Sequence, residues 1–236
     1  MPLNKQKPES DMYNWISHSF TPIRGRCPYK CKYCYAKHFT QKALHLDQKD
    51  LKLDLYKDST PDKRNVIFVC STIDMFHPDV PIEWIEEVLR HCNEFPDNKY
   101  LLQTKSPHRY WHFTHLFTKH YALCTTIETN RDTSSISLAP PTCRRVVQMA
   151  VLSNKGYNVS ITIEPIIQFD LEIMVEWMKE IKPLWINIGA DSKGHNLDEP
   201  SWDKVEALIS ELKKFTRVVI KNNLGRLRKS ITPTES

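Results

Sequence analysis

Short β-rich runs alternate with amphipathic segments along most of the chain, and this alternation restricts the fold more than any other feature. The predicted strands are residues 14–22, 65–71, 99–105, 121–128, 158–165, 184–190 and 217–222, and the predicted helices are residues 35–46, 81–95, 107–120, 140–156, 171–182 and 201–215. Strands separated by helices of this length form βαβ units with a parallel sheet. We therefore predict an α/β fold, a partial (β/α)6-type TIM-like barrel of parallel strands.

The length and composition suit one such barrel. The chain has 236 residues, of which 40% are hydrophobic, which is enough for a sizeable core. We expect a flexible N-terminus over residues 1–13, a single barrel domain over residues 14–224 and a C-terminal tail over residues 225–236. Residues 47–64 are predicted to be an insertion.

The sequence shows neither a secretory signal nor an apolar run of membrane-spanning length. We therefore expect a cytoplasmic protein without a membrane partner, in which thiols stay reduced. The odd number of cysteines, seven, also argues against a disulfide framework.

The positive charge is concentrated in the first quarter of the chain. Residues 1–64 hold 13 Lys and Arg against 7 Asp and Glu, whereas residues 65–236 hold 20 against 21. A basic region of this kind favours an anionic substrate or a nucleic acid as partner. A solvated basic face without a partner is the alternative.

Polar and ionisable residues follow almost every predicted strand. They are Ser71, Thr72, Asp74, Lys105, Thr126, Glu128, Glu164, Asp191 and Lys221. Chemistry in parallel barrels takes place at the C-terminal ends of the strands, so this pattern predicts a site there, although any one of these residues would also suit a helix cap. Strand alternation places Cys70 and Cys124 on the same inward face, where a lone thiol is more often inert.

Three of the cysteines fall within eight residues. Cys27, Cys31 and Cys34 have the spacing Cys-x3-Cys-x2-Cys. A [4Fe–4S] cluster usually has four thiolate ligands, so three thiolates would leave one iron open to a small chelating molecule. The alternative is a structural zinc site in which His38 is the fourth ligand.

The cysteine spacing, with Tyr33 directly before the third cysteine, resembles the radical SAM superfamily. The ordered segments "NVIFVCSTIDMFHPDVP", "LLQTK", "TTIET", "ITIEP", "INIGAD" and "VIKN" resemble a phage-associated radical SAM family that is distantly similar to spore photoproduct lyase. The resemblance spans roughly residues 14–224. Where that family often has Gly-Gly-Glu, this chain has Gly189-Ala190-Asp191.

The resemblance implies a cofactor set and residue roles. Cys27, Cys31 and Cys34 would hold a [4Fe–4S] cluster, and S-adenosylmethionine (SAM) at the open iron would be reductively cleaved to a 5′-deoxyadenosyl radical that abstracts a hydrogen atom from the substrate. An electron donor such as flavodoxin or ferredoxin would supply the electron. The implied cofactor contacts are Tyr33 at the adenine, Ser71, Thr72 and Asp74 at the methionyl amine, and Thr126 and Glu128 at the ribose.

The remaining assignments concern the substrate. Glu164, Asp191 and Lys221 are substrate-side candidates, and Lys105 lies either there or at the SAM carboxylate. Cys124, Cys70 or a tyrosine would be the hydrogen-atom donor, if one is needed. The preferred substrate is a nucleic-acid base or nucleotide; a peptide or protein substrate and a zinc-stabilised nucleic-acid-binding module are the alternatives. If the protein is phage-encoded, it would act in the host cytoplasm.

Overall fold

The fold is α/β with a mostly parallel sheet of eight strands, which confirms the predicted class. The computed structural model describes residues 3–7, 12–38, 43–46 and 65–229. The chain divides into two compact units. The first comprises residues 1–30 and 34–124, and the second comprises residues 31–33 and 125–236.

The first unit contains most of the N-terminal strands. Its elements are β1 (Asn4–Lys5), β2 (His18–Phe20), β3 (Ile23–Arg24), β4 (His45–Leu46), β5 (Val66–Val69), α1 (Ile82–Asn93), β6 (Lys99–Thr104) and the start of β7 (Tyr121–Thr126). Strands β2, β5 and β6 are parallel neighbours in that order, and β1 pairs antiparallel with β2. Strands β3 and β4 form a separate antiparallel pair.

Helix α1 follows the periodicity predicted from the sequence. Four of its apolar residues, Ile85, Val88, Leu89 and Cys92, are buried, whereas Ile82 in the first turn is exposed, and Pro81 stands at the position before that turn. A proline is tolerated there because the first amide groups of a helix have no intrahelical acceptor. The helix buries one stripe in the core of the first unit.

Two predicted helices of the first unit are wrong. Instead of a helix over residues 35–46, the structure has a short 3₁₀ turn at Tyr35–His38 and then β4. The backbone at Ala43 lies close to Gly25. Only glycine suits that position, because its φ is 124° and a Cβ there would lie 2.7 Å from the carbonyl oxygen of Ala43. The predicted insertion at residues 47–64 lies outside the described residues.

The second incorrect helix, predicted over residues 107–120, is a 3₁₀ helix limited to Pro107–Phe113. The Tyr110 hydroxyl lies 2.8 Å from the carbonyl oxygen of Leu102 and 2.9 Å from that of Cys124. These contacts fix the segment against strands β6 and β7, so tertiary packing overrides its helical pattern.

The second unit repeats strand and helix regularly. Its elements are α2 (Thr142–Asn154), β8 (Val159–Ile163), α3 (Leu171–Ile181), β9 (Trp185–Ile188), α4 (Trp202–Leu212), β10 (Arg217–Ile220) and α5 (Gly225–Lys229). Strands β8, β9 and β10 are parallel neighbours. Gly156, with a φ of 87°, follows the end of α2. None of the described helices is long and apolar enough to cross a membrane.

Candidate functional site

The cysteine loop contains three thiols, Cys27, Cys31 and Cys34. Cys31 is buried, Cys27 and Cys34 are half-buried, and none of them is in a disulfide. Such a donor set suits thiolate ligation of a metal cluster. Among the described residues no three His, Cys, Asp or Glu side chains already converge on one metal position, so the ligand set remains a prediction. The side chain of His38, the alternative fourth ligand, lies outside the described part of the chain.

Two tyrosines of this loop contact polar groups of the first unit. The Tyr29 hydroxyl is hydrogen-bonded to the Ser106 hydroxyl just after β6, and the Tyr35 hydroxyl donates to the carbonyl oxygen of Ser71 just after β5. The Tyr29 ring also makes an edge contact with His77, with 4.4 Å between centroids. These contacts hold the loop at the C-terminal ends of two neighbouring strands.

Asp74 is the centre of a hydrogen-bonded group in the first unit. Its carboxylate accepts from the Thr104 hydroxyl at 2.6 Å, from the Lys105 amide at 2.7 Å and from the Phe76 amide at 3.1 Å. Burial raises the pKa of Asp74, and these hydrogen bonds oppose that rise. The predicted cofactor residues Ser71 and Thr72 are half-buried on the same segment after β5, as is Asp74.

Cys70 and Cys124, the predicted hydrogen-atom donors, are both buried. Burial is the largest of the effects that raise the pKa of the Cys70 thiol to about 12, so this thiol keeps its proton at neutral pH. A protonated thiol can donate a hydrogen atom only to a group that reaches it. The donor assignment therefore remains a prediction.

Glu128 lies at the centre of a buried ion pair in the second unit. Both Glu128 and Arg145 have side chains that are 0% exposed, and Arg145 Nη1 lies 2.9 Å from Glu128 Oε2. The Tyr33 hydroxyl, from the cysteine loop, donates to Glu128 Oε1. Burial, and then the nearby Glu128, raises the pKa of Tyr33 well above its usual value. Both carboxylate oxygens of Glu128 thus have partners within the protein, and Thr126 beside it is also buried.

Two of the predicted substrate-side residues form an ion pair. Lys221 Nζ lies 2.8 Å from Glu164 Oε1 and 2.9 Å from Oε2. Asn223 donates to Glu164 Oε1 at 2.9 Å, and Gly189 approaches so closely that a Cβ there would lie 2.7 Å from the same oxygen. The pair follows strands β8 and β10 and is only partly exposed, at 16% for Glu164 and 13% for Lys221.

Asp191, the third substrate-side candidate, pairs with a histidine that the sequence reasoning missed. His195 Nδ1 lies 2.6 Å from Asp191 Oδ1, and the His195 amide donates to Oδ2. Burial acts to raise the pKa of Asp191, but the hydrogen bonds from His195 outweigh it and leave the pKa below its usual value. The Asp191 amide donates to Glu199, which also accepts from Arg226.

The structure therefore adds residues to the predicted site. They are Tyr29, Tyr35, Ser137, Arg145, His195 and Asn223. The tyrosines had a visible signal, because "CPYKCKYCY" alternates cysteine with tyrosine. Ser137, Arg145 and Asn223 contact partners that are distant in the sequence, so no local pattern marks them. His195 contacts Asp191 four residues earlier, and this spacing was a local signal that the sequence reasoning did not use.

Comparisons with known proteins place this chain among others of the same fold. A family model described as "Protein of unknown function (DUF5131)" matches residues 10–202, and no curated protein matches the sequence. A spore photoproduct lyase mutant with dinucleoside spore photoproduct is similar with a TM-score of 0.71 at 11% identity, covering 92% of this chain and 78% of that one.

Two further solved structures contain the nucleoside cofactor. A spore photoproduct lyase mutant with bound AdoMet and dinucleoside spore photoproduct has a TM-score of 0.67 at 11% identity, covering 92% of this chain and 78% of that one. Streptococcus suis SuiB bound to S-adenosylmethionine has a TM-score of 0.67 at 12% identity, covering 92% of this chain and 53% of that one. Both enzymes are radical SAM enzymes, and the shared fold confirms the predicted partial barrel.

Proposed function

The chain belongs to the DUF5131 family, and we propose that it is a radical SAM enzyme. The observation that carries this proposal is the motif of Cys27, Cys31 and Cys34, three cysteines of one loop that are in no disulfide, on a fold shared with two radical SAM enzymes. The thiol donors and the fold both support this assignment.

The three cysteines would hold a [4Fe–4S] cluster through their thiolates. When bound, the cluster and SAM supply a 5′-deoxyadenosyl radical that takes a hydrogen atom from the substrate. Tyr29 and Tyr35 fix the loop through their hydroxyl groups. An external one-electron donor such as flavodoxin or ferredoxin would reduce the cluster.

Polar residues after the strands of the first unit would bind SAM. Ser71, Thr72 and Asp74 are proposed to receive its methionyl amine, because the Asp74 carboxylate is already held rigidly by the Thr104 hydroxyl and the Lys105 amide. Lys105 would bind the SAM carboxylate or the substrate. Because the Asp74 oxygens are already held in place, they can orient the ammonium group of SAM without ordering of the Asp74 side chain on binding.

In the second unit, Thr126 and Glu128 are proposed to bind the SAM ribose. Since Glu128 already has two protein partners, it would have to accept through its remaining lone pairs. Tyr33 is the proposed contact of the adenine. Cys124 or Cys70 remains the proposed hydrogen-atom donor.

We propose a nucleic-acid base or nucleotide as the substrate, handled by Glu164, Asp191 and Lys221. The basic first quarter of the chain supports an anionic substrate. The spore photoproduct lyase structures that share this fold contain a dinucleoside photoproduct. His195, held by Asp191, would present its second ring nitrogen as a hydrogen-bonding group toward such a base.

The cofactor proposal is tested with anaerobically purified protein. Wild-type protein is expected to be brown with about four iron atoms per chain and, after reduction with SAM, to release 5′-deoxyadenosine. The control is the variant in which all three cysteines are replaced by alanine, which should be colourless and inactive. Colourless wild-type protein with one zinc ion per chain would instead establish the zinc-stabilised module.

The substrate proposal has its own test. Affinity for DNA and RNA oligonucleotides is measured between low and physiological salt, where phosphate contacts make binding fall steeply. Deuterated oligonucleotides are then expected to pass deuterium into 5′-deoxyadenosine. Absence of binding even at low salt would remove nucleic acid as substrate, and deuterium transfer from a labelled peptide would establish the alternative.

A further inference from the structure

The middle of the cysteine loop is held by three consecutive contacts within the second unit. Cys31 Sγ lies 3.1 Å from Ser137 Oγ, and the Lys32 amide donates to the carbonyl oxygen of Ile136 at 2.8 Å. The next residue, Tyr33, donates its hydroxyl proton to Glu128. Because each of the three neighbours is fixed separately, the position of the Cys31 sulfur relative to Ser137 is defined by the backbone as well as by its own contact.

The Ser137 hydroxyl is arranged to donate toward that sulfur. Its oxygen accepts from the Ala139 amide at 3.1 Å, and its own amide donates to the carbonyl oxygen of Thr133 at 3.0 Å. A serine hydroxyl has one proton to give, and within the described residues the acceptor that it contacts is the Cys31 sulfur. A cysteine that binds metal is a thiolate, which can only accept.

Both partners of this contact are shielded from water. Ser137 is 5% exposed and Cys31 is 8% exposed. A hydrogen bond to a charged acceptor is stronger in such surroundings than in water. A hydrogen bond from Ser137 can therefore stabilise negative charge on the Cys31 sulfur as well as fix the position of that sulfur.

We propose that Ser137 donates a hydrogen bond to the Cys31 thiolate of the bound cluster and thereby raises the cluster's reduction potential. The inference rests on the proposed function. Hydrogen bonds to ligating sulfurs are among the features that set the potential of iron–sulfur clusters. The physical reason is that the added electron increases the negative charge on the sulfurs, so a donated proton stabilises the reduced cluster more than the oxidised one.

The test is a redox titration of the reconstituted cluster, followed by electron paramagnetic resonance, in wild type and in S137A. Removal of the hydroxyl is expected to make reduction about tenfold less favourable, which equals a shift of about 59 mV to more negative potential for a one-electron couple. The matched control is S134A, which deletes an exposed hydroxyl of the same segment bonded to Asp132 and should leave the potential unchanged.

A second pair of variants protects the test against a loss of folding or of cluster. S137T and S137V have nearly the same volume and differ in the hydroxyl group alone. The potential of S137V is expected to lie below that of S137T by the same shift. Equal potentials in this pair, or in wild type and S137A at equal iron content, overturn the inference while leaving the proposed function intact. A wild-type chain that binds no cluster overturns both.

Discussion

Replacement of Arg145 by methionine tests whether the buried ion pair organises the second unit. The substitution keeps most of the side-chain volume and removes the charge. It leaves the Glu128 carboxylate at 0% exposure without its cation. It also removes the donors to the carbonyl oxygens of Pro140, at 2.7 Å, and Thr126, at 2.8 Å.

The magnitude follows from the burial of both partners. Breaking a buried pair on one side costs about 3–5 kcal/mol, since the remaining charge is uncompensated. The two carbonyl oxygens lose hydrogen bonds from a charged donor, so about 3 kcal/mol is the lower limit of the expected loss. That loss is a large part of the roughly 5–15 kcal/mol by which domains are stable.

The control is R131M. Arg131 and Asp170 form a pair 2.6 Å apart whose side chains are 49% and 43% exposed, and exposed pairs contribute at most about 1 kcal/mol. Both arginines belong to the second unit, so the same probe serves both variants. We would measure urea denaturation together with amide hydrogen exchange of α2 and β8, because exchange reports the second unit separately from the first.

The double variant E128L/R145M separates the charge from the packing. A buried ion pair replaced by apolar residues is often nearly neutral, so the double variant should be less destabilised than R145M alone. The reasoning is refuted if R145M loses no more stability than R131M. It is also refuted if the double variant is as unstable as the sum of its two single variants, since the charges would then not be coupled.

Three further predictions concern single positions. G189A places a methyl group 2.7 Å from a glutamate oxygen and should cost about 1–3 kcal/mol in urea denaturation, whereas G225A, with nothing within 4 Å, should cost nothing. Asp170 has a pKa lowered to about 2, first of all by its hydrogen bond from an arginine. The contribution of the ionised Asp170 to the free energy of unfolding is therefore present above pH ~4 and lost as the pH falls toward 2. In a pH series of unfolding curves, D170N should not show this loss. Iodoacetamide should label exposed Cys143 in the native protein and label Cys70 only after unfolding, as read by mass spectrometry; native labelling of Cys70 would contradict its burial.

The sequence predicted the regular part of the fold well for a physical reason. Helices α2, α3 and α4 each bury a mainly apolar stripe, so the helical periodicity of their apolar residues is enough to predict them. In the segments predicted as helices over residues 35–46 and 107–120, the hydroxyl groups of Tyr35 and Tyr110 bond to carbonyl oxygens on or just after other strands. Periodicity does not contain such contacts, and both predictions of a long helix failed.

Candidate residues were predictable where they follow strands and not where they depend on contacts across the chain. Asp74, Glu164 and Lys221 were predicted because they follow strands, and the structure gives each of them polar partners, while their roles toward cofactor or substrate stay predictions. Arg145 lies on α2, 17 positions after Glu128. Helix α2 contains no acidic residue, so the sequence of the helix does not indicate an ion pair. The role of Arg145 emerges only when strand β7 and helix α2 are packed together.

The pairing of Glu164 with Lys221 shows how strand register and one glycine can bring two charged residues into contact, although neither residue alone indicates its partner. The parallel register aligns Ile163 with Ile188 and Ile188 with Ile220. One residue further along each chain segment, Glu164, Gly189 and Lys221 stand in one row at the ends of β8, β9 and β10. Charged side chains at the two outer positions of such a row would ordinarily be separated by the side chain at the middle position. Because the middle position has no Cβ, the carboxylate occupies that space and reaches the ammonium group at 2.8 Å. A side chain at residue 189 would therefore separate the two charges without altering either charged residue.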